Sequence, residues 1–361
     1  MSSPLRCLSI LLALICSACT AAAPAPPQLK VPSGFHVAVY SDAVPNAREM
    51  ALGAKGTLFV GSNDADKVYA VTDQGHKVRV IASGLESPVG VAFHDGDLYV
   101  SAVSRILKFP DVEEHLDKPP APQVVTDKLP SARHHGWRFI AFGPDGKLYV
   151  PIGAPCNVCD QPGYAKLLRM NADGSGWQDV AYGIRNTVGF DWQPGTHTLW
   201  FTDNGRDLLG DDIPSDELNR VDKLGEHFGF PYCHEGDILD PQFGKGKSCK
   251  DYAPPALKLG AHVASLGMRF YNGTQFPASY RGAIFVAEHG SWNRSSKFGY
   301  RVVVVHVDGN KVIGQQPFLT GFLDGQESLG RPADVLPLPD GSLLVSDDDN
   351  GAIYRVTYSP K

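Results

Sequence analysis

The sequence predicts an all-β fold, a six-bladed β-propeller of four-stranded antiparallel blades, on three observations. The 38 Gly and 28 Pro of the 361 residues are dispersed and punctuate short apolar runs, instead of clustering as a linker or low-complexity tract. One phrase recurs six times: an apolar strand, a Gly-containing turn, a second apolar strand. The shortest interval between copies is roughly 40 residues, the length of one four-stranded blade.

Taken in order, residues 1–23 read as an export signal. Arg6 supplies the positive charge, Leu8 to Ile15 the short apolar run, and Cys16 to Ala23 a small-residue stretch for cleavage. Ser17-Ala18-Cys19 is similar to a lipobox, in which Cys19 would carry a lipid anchor; the alternative is simple cleavage and release. Residues 24–30 read as a tether, and residues 31–361 as a single propeller. Phe35 to Tyr40 is expected to add a strand to the last blade and close the ring, which covers an open sheet edge.

The six copies start with Gly56-Thr-Leu-Phe-Val60 and Gly96-Asp-Leu-Tyr-Val100, the latter preceded by Val89-Gly-Val-Ala-Phe93. Phe139-Ile-Ala-Phe-Gly-Pro-Asp-Gly-Lys-Leu-Tyr-Val150 is the third, and Gly189 to Phe201 the fourth. Gly282-Ala-Ile-Phe-Val286 follows Met268 to Tyr271, and Val335 to Val345 completes the set. Asp-Gly and Pro-Asp-Gly set hairpin turns, because these residues tolerate positive φ. A further strand follows each phrase, as in Lys67 to Val71, Arg105 to Phe109, Lys166 to Met170 and Ala352 to Val356. The longer intervals, above all between copies four and five, predict loop insertions.

A formal net charge of −6 argues against a nucleic-acid or basic membrane-surface partner. No stretch after residue 20 is long and apolar enough to span a bilayer. With Cys7, Cys16 and Cys19 in the export signal, Cys156, Cys159, Cys233 and Cys249 remain. An even count in an oxidising compartment favours two disulfides. Of the three pairings, proximity favours 156–159 and 233–249. Zinc is the rival, since Cys156-x-x-Cys159 has ligand spacing, although the second pair lacks it. A c-type haem would need His after Cys159, where Asp160 stands.

Four stretches interrupt the strand pattern with chemistry-bearing residues. Arg133-His134-His135-Gly136-Trp137-Arg138 offers a general base near neutrality. Tyr182-Gly-Ile-Arg185-Asn186-Thr187 offers a guanidinium for a carboxylate or a developing oxyanion. Thr202-Asp-Asn-Gly205-Arg206-Asp207, with Asp211, Asp212, Asp216, Glu217 and Asn219 beyond it, is oxygen-rich enough for Ca²⁺. It lacks EF-hand spacing. Glu288-His-Gly-Ser-Trp-Asn-Arg294 and Lys297 form the fourth. Arg331 before the last blade and Arg48 before the first add cations at the same blade edge, which suits a multiply anionic ligand.

These motifs, in this order from about Val31 to Tyr358, resemble the soluble glucose and sorbosone dehydrogenases, which use pyrroloquinoline quinone (PQQ). Gly-Ala-Pro-Cys156-Asn-Val-Cys159 and His289-Gly-Ser-Trp-Asn-Arg294 look like the sorbosone dehydrogenase branch. The resemblance implies that His134 removes a hydroxyl proton while hydride passes to the quinone, with His135 as its neighbour and rival. It implies that Arg185 and Asn186 lie beside the cofactor, with Arg185 stabilising charge on the reduced quinone oxygen. It also implies that the backbone carbonyls of Gly205 and Arg206 bind Ca²⁺, and that Arg331 holds a PQQ carboxylate. The family's second arginine, two residues on, is Ala333 here; Arg48, Arg294 and Lys297 are the candidates to replace it. Arg133 stands where glucose-oxidising members carry an acid, which argues against glucose. The expected substrate is an aldose or a sorbosone-like aldehyde, and the expected electron acceptor a small cytochrome or quinone, in the periplasm or outside the cell. The alternatives are a calcium-dependent lactonase or esterase on a similar propeller and a non-catalytic ligand-binding propeller.

Overall fold

Each repeated phrase folds as the first two strands of a blade in the computed structural model, which describes residues 27–360. The export signal, including Cys7, Cys16 and Cys19, and the start of the tether lie outside the described residues. Blade 1 comprises Ala47–Leu52, Leu58–Ser62, Lys67–Thr72 and Lys77–Ser83. Blade 2 comprises Val91–His94, Asp97–Ala102, Arg105–Phe109 and Gln123–Thr126. Ala141–Phe142, Leu148–Ile152, Lys166–Met170 and Gln178–Tyr182 form blade 3. Blade 4 holds Phe190–Trp192, Leu199–Asp203, Ser215–Arg220 and Leu257–Ala261. Ser265–Phe270, Ile284–Glu288, Arg301–Asp308 and Lys311–Leu319 make blade 5. Blade 6 takes Pro332–Pro337, Leu343–Asp347 and Ala352–Tyr358 from the end of the chain and Phe35–Ser41 from its start. The closing pair is antiparallel, with Phe35 opposite Tyr358 and Val37 opposite Val356, as the sequence predicts.

The large insertion falls inside blade 4, between its third and fourth strands. Within it, Glu226–His227 joins the outer edge of blade 3 as a parallel strand, and Cys233–His234 pairs with Ile238–Leu239. The Cys233–Cys249 disulfide closes this excursion, and Cys156–Cys159 closes a short loop in blade 3.

The second strands are buried on both faces, and alternate residues serve different cores. In blade 1, Phe59 packs with Val91 and Val100 of blade 2, while Leu58 and Val60 pack with Leu344 and Ile353 of blade 6. The same arrangement gives an apolar core in each of the six seams between blades. A blade cannot bury both faces alone, so the ring is the unit of stability.

The axis is closed by a polar plug. Arg269 of blade 5 sits 3.5 Å from Asp334 of blade 6, 3.9 Å from Glu49 of blade 1, and 4.5 Å from the centroid of the Phe139 ring. Glu49 Oε2 accepts the Val91 and Ile140 backbone N–H groups at 3.1 and 3.0 Å, and so ties blades 2 and 3 to the same point. Gly267 is required beside it, because a Cβ there would collide with the Asp334 carboxylate. Above the plug lies an apolar layer of Val188, Leu266 and Ala333 against Trp137.

Candidate active site

Antiparallel blades bring the start of strand one and the end of strand two to the same end of the ring. Polar residues placed just outside the repeated phrase therefore converge there. They surround a cleft of about 330 Å³, within the size range of small-ligand sites. Leu266 and Trp137 of the apolar layer line it, and Val188 and Ala333 pack behind them.

One wall comes from blades 3 and 4. His134 is exposed on the approach to blade 3, its ring centroid 4.1 Å from that of His135. Burial and then the Arg185 charge lower the pKa of His134; Asp207 and a backbone hydrogen bond at Cys156 oppose them. Arg185 is almost fully fixed. Its Nε donates to the Asn157 carbonyl at 2.8 Å, and its terminal nitrogens to the Asn204 carbonyl at 3.1 Å, Asn157 Oδ1 at 3.0 Å and Asp207 at 2.8 Å. The backbone N–H groups of Arg185 and Asn186 donate to Asp203 at 2.9 and 2.6 Å, which sets the turn that presents both side chains.

The other wall comes from blades 5, 6 and 1. Asp348 accepts from Arg48 at 2.6 Å and contacts His289 Nε2 at 2.8 Å. Burial would raise the Asp348 pKa, but the two partners outweigh it and hold the carboxyl well below the usual range. Arg331 donates to the carbonyls of His289 and Gly290 at 3.1 and 2.7 Å.

Fixed partners assign the histidine tautomers. His135 Nδ1 is 2.8 Å from the Ala154 carbonyl and so carries the proton. Burial holds His135 neutral, well below its ordinary pKa. His289 donates from Nε2 to the ionised Asp348. His262 donates from Nε2 to the Gly210 carbonyl and accepts at Nδ1 from Asn293, whose amide also donates to Asp207 at 2.7 Å. Three buried polar atoms of the lining are left without a partner: Asn63 Oδ1, Asn293 Oδ1 and Trp137 Nε1.

The structure thus brings His134, Arg185, Asn186, Arg48, Arg331 and Gly205 into one cleft. It does not bring Arg294 and Lys297, and these two expectations are corrected. The Arg294 guanidinium is drawn to the Asp211 carbonyl and to Asp212, and the Lys297 amine lies 5.9 Å from the Tyr300 ring centroid. Arg206 also turns its side chain away, to Asp240 at 2.5 Å beneath the cleft. Its expected role, however, rests on the backbone. Among the described residues, the Gly205 and Arg206 carbonyls accept no hydrogen bond. No cluster of three His, Cys, Asp or Glu side chains converges as a metal site among the described residues. Asp207 and Asp216, the carboxylates of the lining, are engaged by Arg185 and Asn293 and by the Gly205 and Ser265 N–H groups.

Sequence reasoning missed Asn63, Asn157 and Asp348. The available signal was position: Asn63, Asn204, His289 and Asp348 each follow closely on the end of a second strand.

Comparison with known proteins bears on this cleft. The family model described as glucose / sorbosone dehydrogenase matches residues 121–355. An uncharacterised protein of Borreliella burgdorferi is 36% identical over 346 residues, covering 91% of each chain. The aldose sugar dehydrogenase YliI of Escherichia coli is 27% identical over 252 residues, 64% of this chain and 62% of that one. Among solved structures, the holo form of the PQQ domain of pyranose dehydrogenase from Coprinopsis cinerea superposes with a TM-score of 0.77 at 18% identity, covering 93% and 98% of the two chains. The PQQ-bound aldose sugar dehydrogenase of Streptomyces coelicolor gives 0.68 at 20% identity, over 91% and 100%. At these identities the structural matches show the shared propeller.

Proposed function

The chain belongs to the glucose/sorbosone dehydrogenase family, and from that premise we propose that it is a PQQ- and calcium-dependent dehydrogenase of an aldose or a sorbosone-like aldehyde. The observation that carries this reading is the meeting of His134 with Arg185, Arg48 and Arg331 in one cleft that ends on an apolar floor. The residues fit the cofactor. PQQ is a flat tricarboxylate, and the cleft offers guanidinium groups, an apolar base and unpartnered polar atoms. Ala333 is buried in the apolar layer behind Leu266, and Arg48, from the neighbouring blade, supplies a cation to the cleft.

Bound there, PQQ would supply the quinone that accepts hydride, polarised by Ca²⁺ held at the Gly205 and Arg206 carbonyls. The rest is the work of side chains. His134, with its lowered pKa, is an unprotonated imidazole at neutral pH, ready to take the substrate hydroxyl proton. Arg185, held by four hydrogen bonds, presents positive charge without reorganising. Arg48 and Arg331 bind carboxylates, and Asn186 adds an amide beside Arg185. Arg133 pairs with Glu86 at 2.5 Å, so the position before His134 does not supply the acid that glucose-oxidising members carry there.

Two disulfides suit an oxidising compartment, which supports export to the periplasm or beyond. No helix of the described residues is long and apolar enough to cross a membrane. A small cytochrome or quinone is the proposed electron acceptor. The test is to add PQQ and Ca²⁺ to the apoprotein, follow the cofactor absorbance and melting temperature, and assay dye-linked oxidation of aldoses and sugar aldehydes. A saturable absorbance change with turnover supports the reading; no absorbance change and no stabilisation would sink it.

A further inference from the structure

We infer that Asn157, in the loop closed by the Cys156–Cys159 disulfide, is a positioning residue that sets Arg185 against His134. The inference rests on the roles proposed above for those two residues. The segment from Gly153 to Cys159 runs between them and bonds to both sides. Toward the histidines, Gly153 lies so close that a Cβ would sit 2.6 Å from His135 Cβ, and the Ala154 carbonyl accepts His135 Nδ1 at 2.8 Å. The same segment reaches His134 through a backbone hydrogen bond at Cys156. Toward the arginine, Ala154 N–H donates to the Arg185 carbonyl at 2.8 Å, and Asn157 grips the guanidinium twice, through its own carbonyl and through Oδ1.

Asn157 also fixes the acid that balances Arg185. Its Oδ1 accepts the Asp207 N–H at 2.8 Å, and its Nδ2 donates to the Asp207 carbonyl at 3.2 Å. One amide therefore holds both members of the Arg185–Asp207 pair. An amide is suited to this place because it accepts from a cation and from an N–H while donating to a carbonyl, and carries no charge that would unbalance the pair. The disulfide explains how a loop residue can be held so firmly. It ties the two flanks of Asn157-Val158 together, so the Asn157 carbonyl and side chain keep their direction. His134 faces Arg185 and Asp207 and lies against His135, so displacement of Arg185 changes the charge that the base meets.

Two variants test this, Asn157→Ala and Cys156→Ser/Cys159→Ser, each with a reading that needs no cofactor. In the apoprotein, the His134 imidazole titration is followed by NMR, its signal assigned by its loss in His134→Gln. With Arg185 released, the His134 pKa is expected to rise toward the ordinary histidine value in both variants. In the PQQ-loaded enzyme, kcat should fall roughly 10- to 100-fold, the scale of a misplaced catalytic group, while KM stays within about twofold. A dithiol reductant gives a third arm. It reduces Cys156–Cys159 to two thiols, with two electrons and two protons, as it closes to its own disulfide. That treatment should reproduce the titration shift in the wild-type apoprotein and in Cys233→Ser/Cys249→Ser, and add nothing in Cys156→Ser/Cys159→Ser. An unchanged His134 titration and unchanged kcat in folded Asn157→Ala would overturn the inference. If the titration shifts but the wild type neither binds PQQ nor turns over, the positioning stands and the proposed activity falls.

Discussion

The two walls of the cleft use the same residue types and tie them down differently. On the blade 3 and 4 wall, Arg185 spends four hydrogen bonds on the protein. On the opposite wall, Arg331 spends two, and Arg48 is bonded to Asp348 alone among the described residues. A guanidinium has five N–H donors, so the second wall has donors to spare and the first almost none. A fully committed cation acts as a fixed field for a reaction, and a partly committed one can take up a ligand carboxylate. On the proposed function, the first wall would govern turnover and the second cofactor affinity.

The largest effects should come from the first wall. His134→Ala is expected to lower kcat by about 10²- to 10⁴-fold and leave the PQQ dissociation constant nearly unchanged in an absorbance titration. Arg185→Gln should lower kcat by about 10²- to 10³-fold. It should also lower the melting temperature, since Asp207 and Asp203 lose their nearest cation. On the second wall, Arg48→Ala and Arg331→Ala should each weaken PQQ binding by roughly 10- to 100-fold, the worth of a charged hydrogen bond, with kcat at saturation kept within a few-fold. If Arg48→Ala cuts saturated kcat as deeply as Arg185→Gln, the division between the walls is wrong.

Acidity separates the walls next. A base acts when deprotonated, so kcat/KM rises with pH through the His134 pKa. Burial and Arg185 lower that pKa, which places the acid limb of the profile below the ordinary value of about 6.5. On the other wall Asp348 titrates below its unfolded value. Its contribution to stability is complete above about pH 4 and is lost as pH falls through the folded value. Asp348→Asn should therefore melt earlier than wild type at pH 7, with the gap closing in strong acid. The smallest effects belong to the cations outside both walls: Arg294→Ala and Lys297→Ala should change the PQQ dissociation constant by less than about twofold, well under the worth of one charged contact.

Blade number and strand pairing were legible because every copy repeats the same apolar and turn chemistry. The closing strand was legible for the same reason, since Phe35 to Tyr40 reads as a strand with no partner nearby in sequence. That His134, Arg185, Asn186, Arg48 and Arg331 line one cleft could be read from their places beside the repeat. The directions of Arg294 and Lys297 could not. Both lie in a loop whose path is fixed by Asp211, Asp212 and Gln326, which are distant in the chain. Asn157 was hidden for a related reason. Its partners belong to the approach to blade 4 and to a loop within it, and nothing in a Cys-x-x-Cys spacing announces them. Ala333 read as a missing cation and is buried in an apolar cluster, a place that only the packing of Val188, Leu266 and Trp137 around it defines.

The plug of Arg269, Glu49 and Asp334 has a kinetic meaning. It fills the centre of the ring with charged side chains drawn from blades 5, 6 and 1, and the cleft lies at one end of the ring. On the proposed chemistry, the sugar and the oxidant that regenerates the enzyme must use the same mouth at different times. Product has to leave before the acceptor can approach. Such an enzyme shuttles between two stable forms, and its double-reciprocal plots at several acceptor concentrations should be parallel. Intersecting lines would mean that both partners can sit in the cleft together.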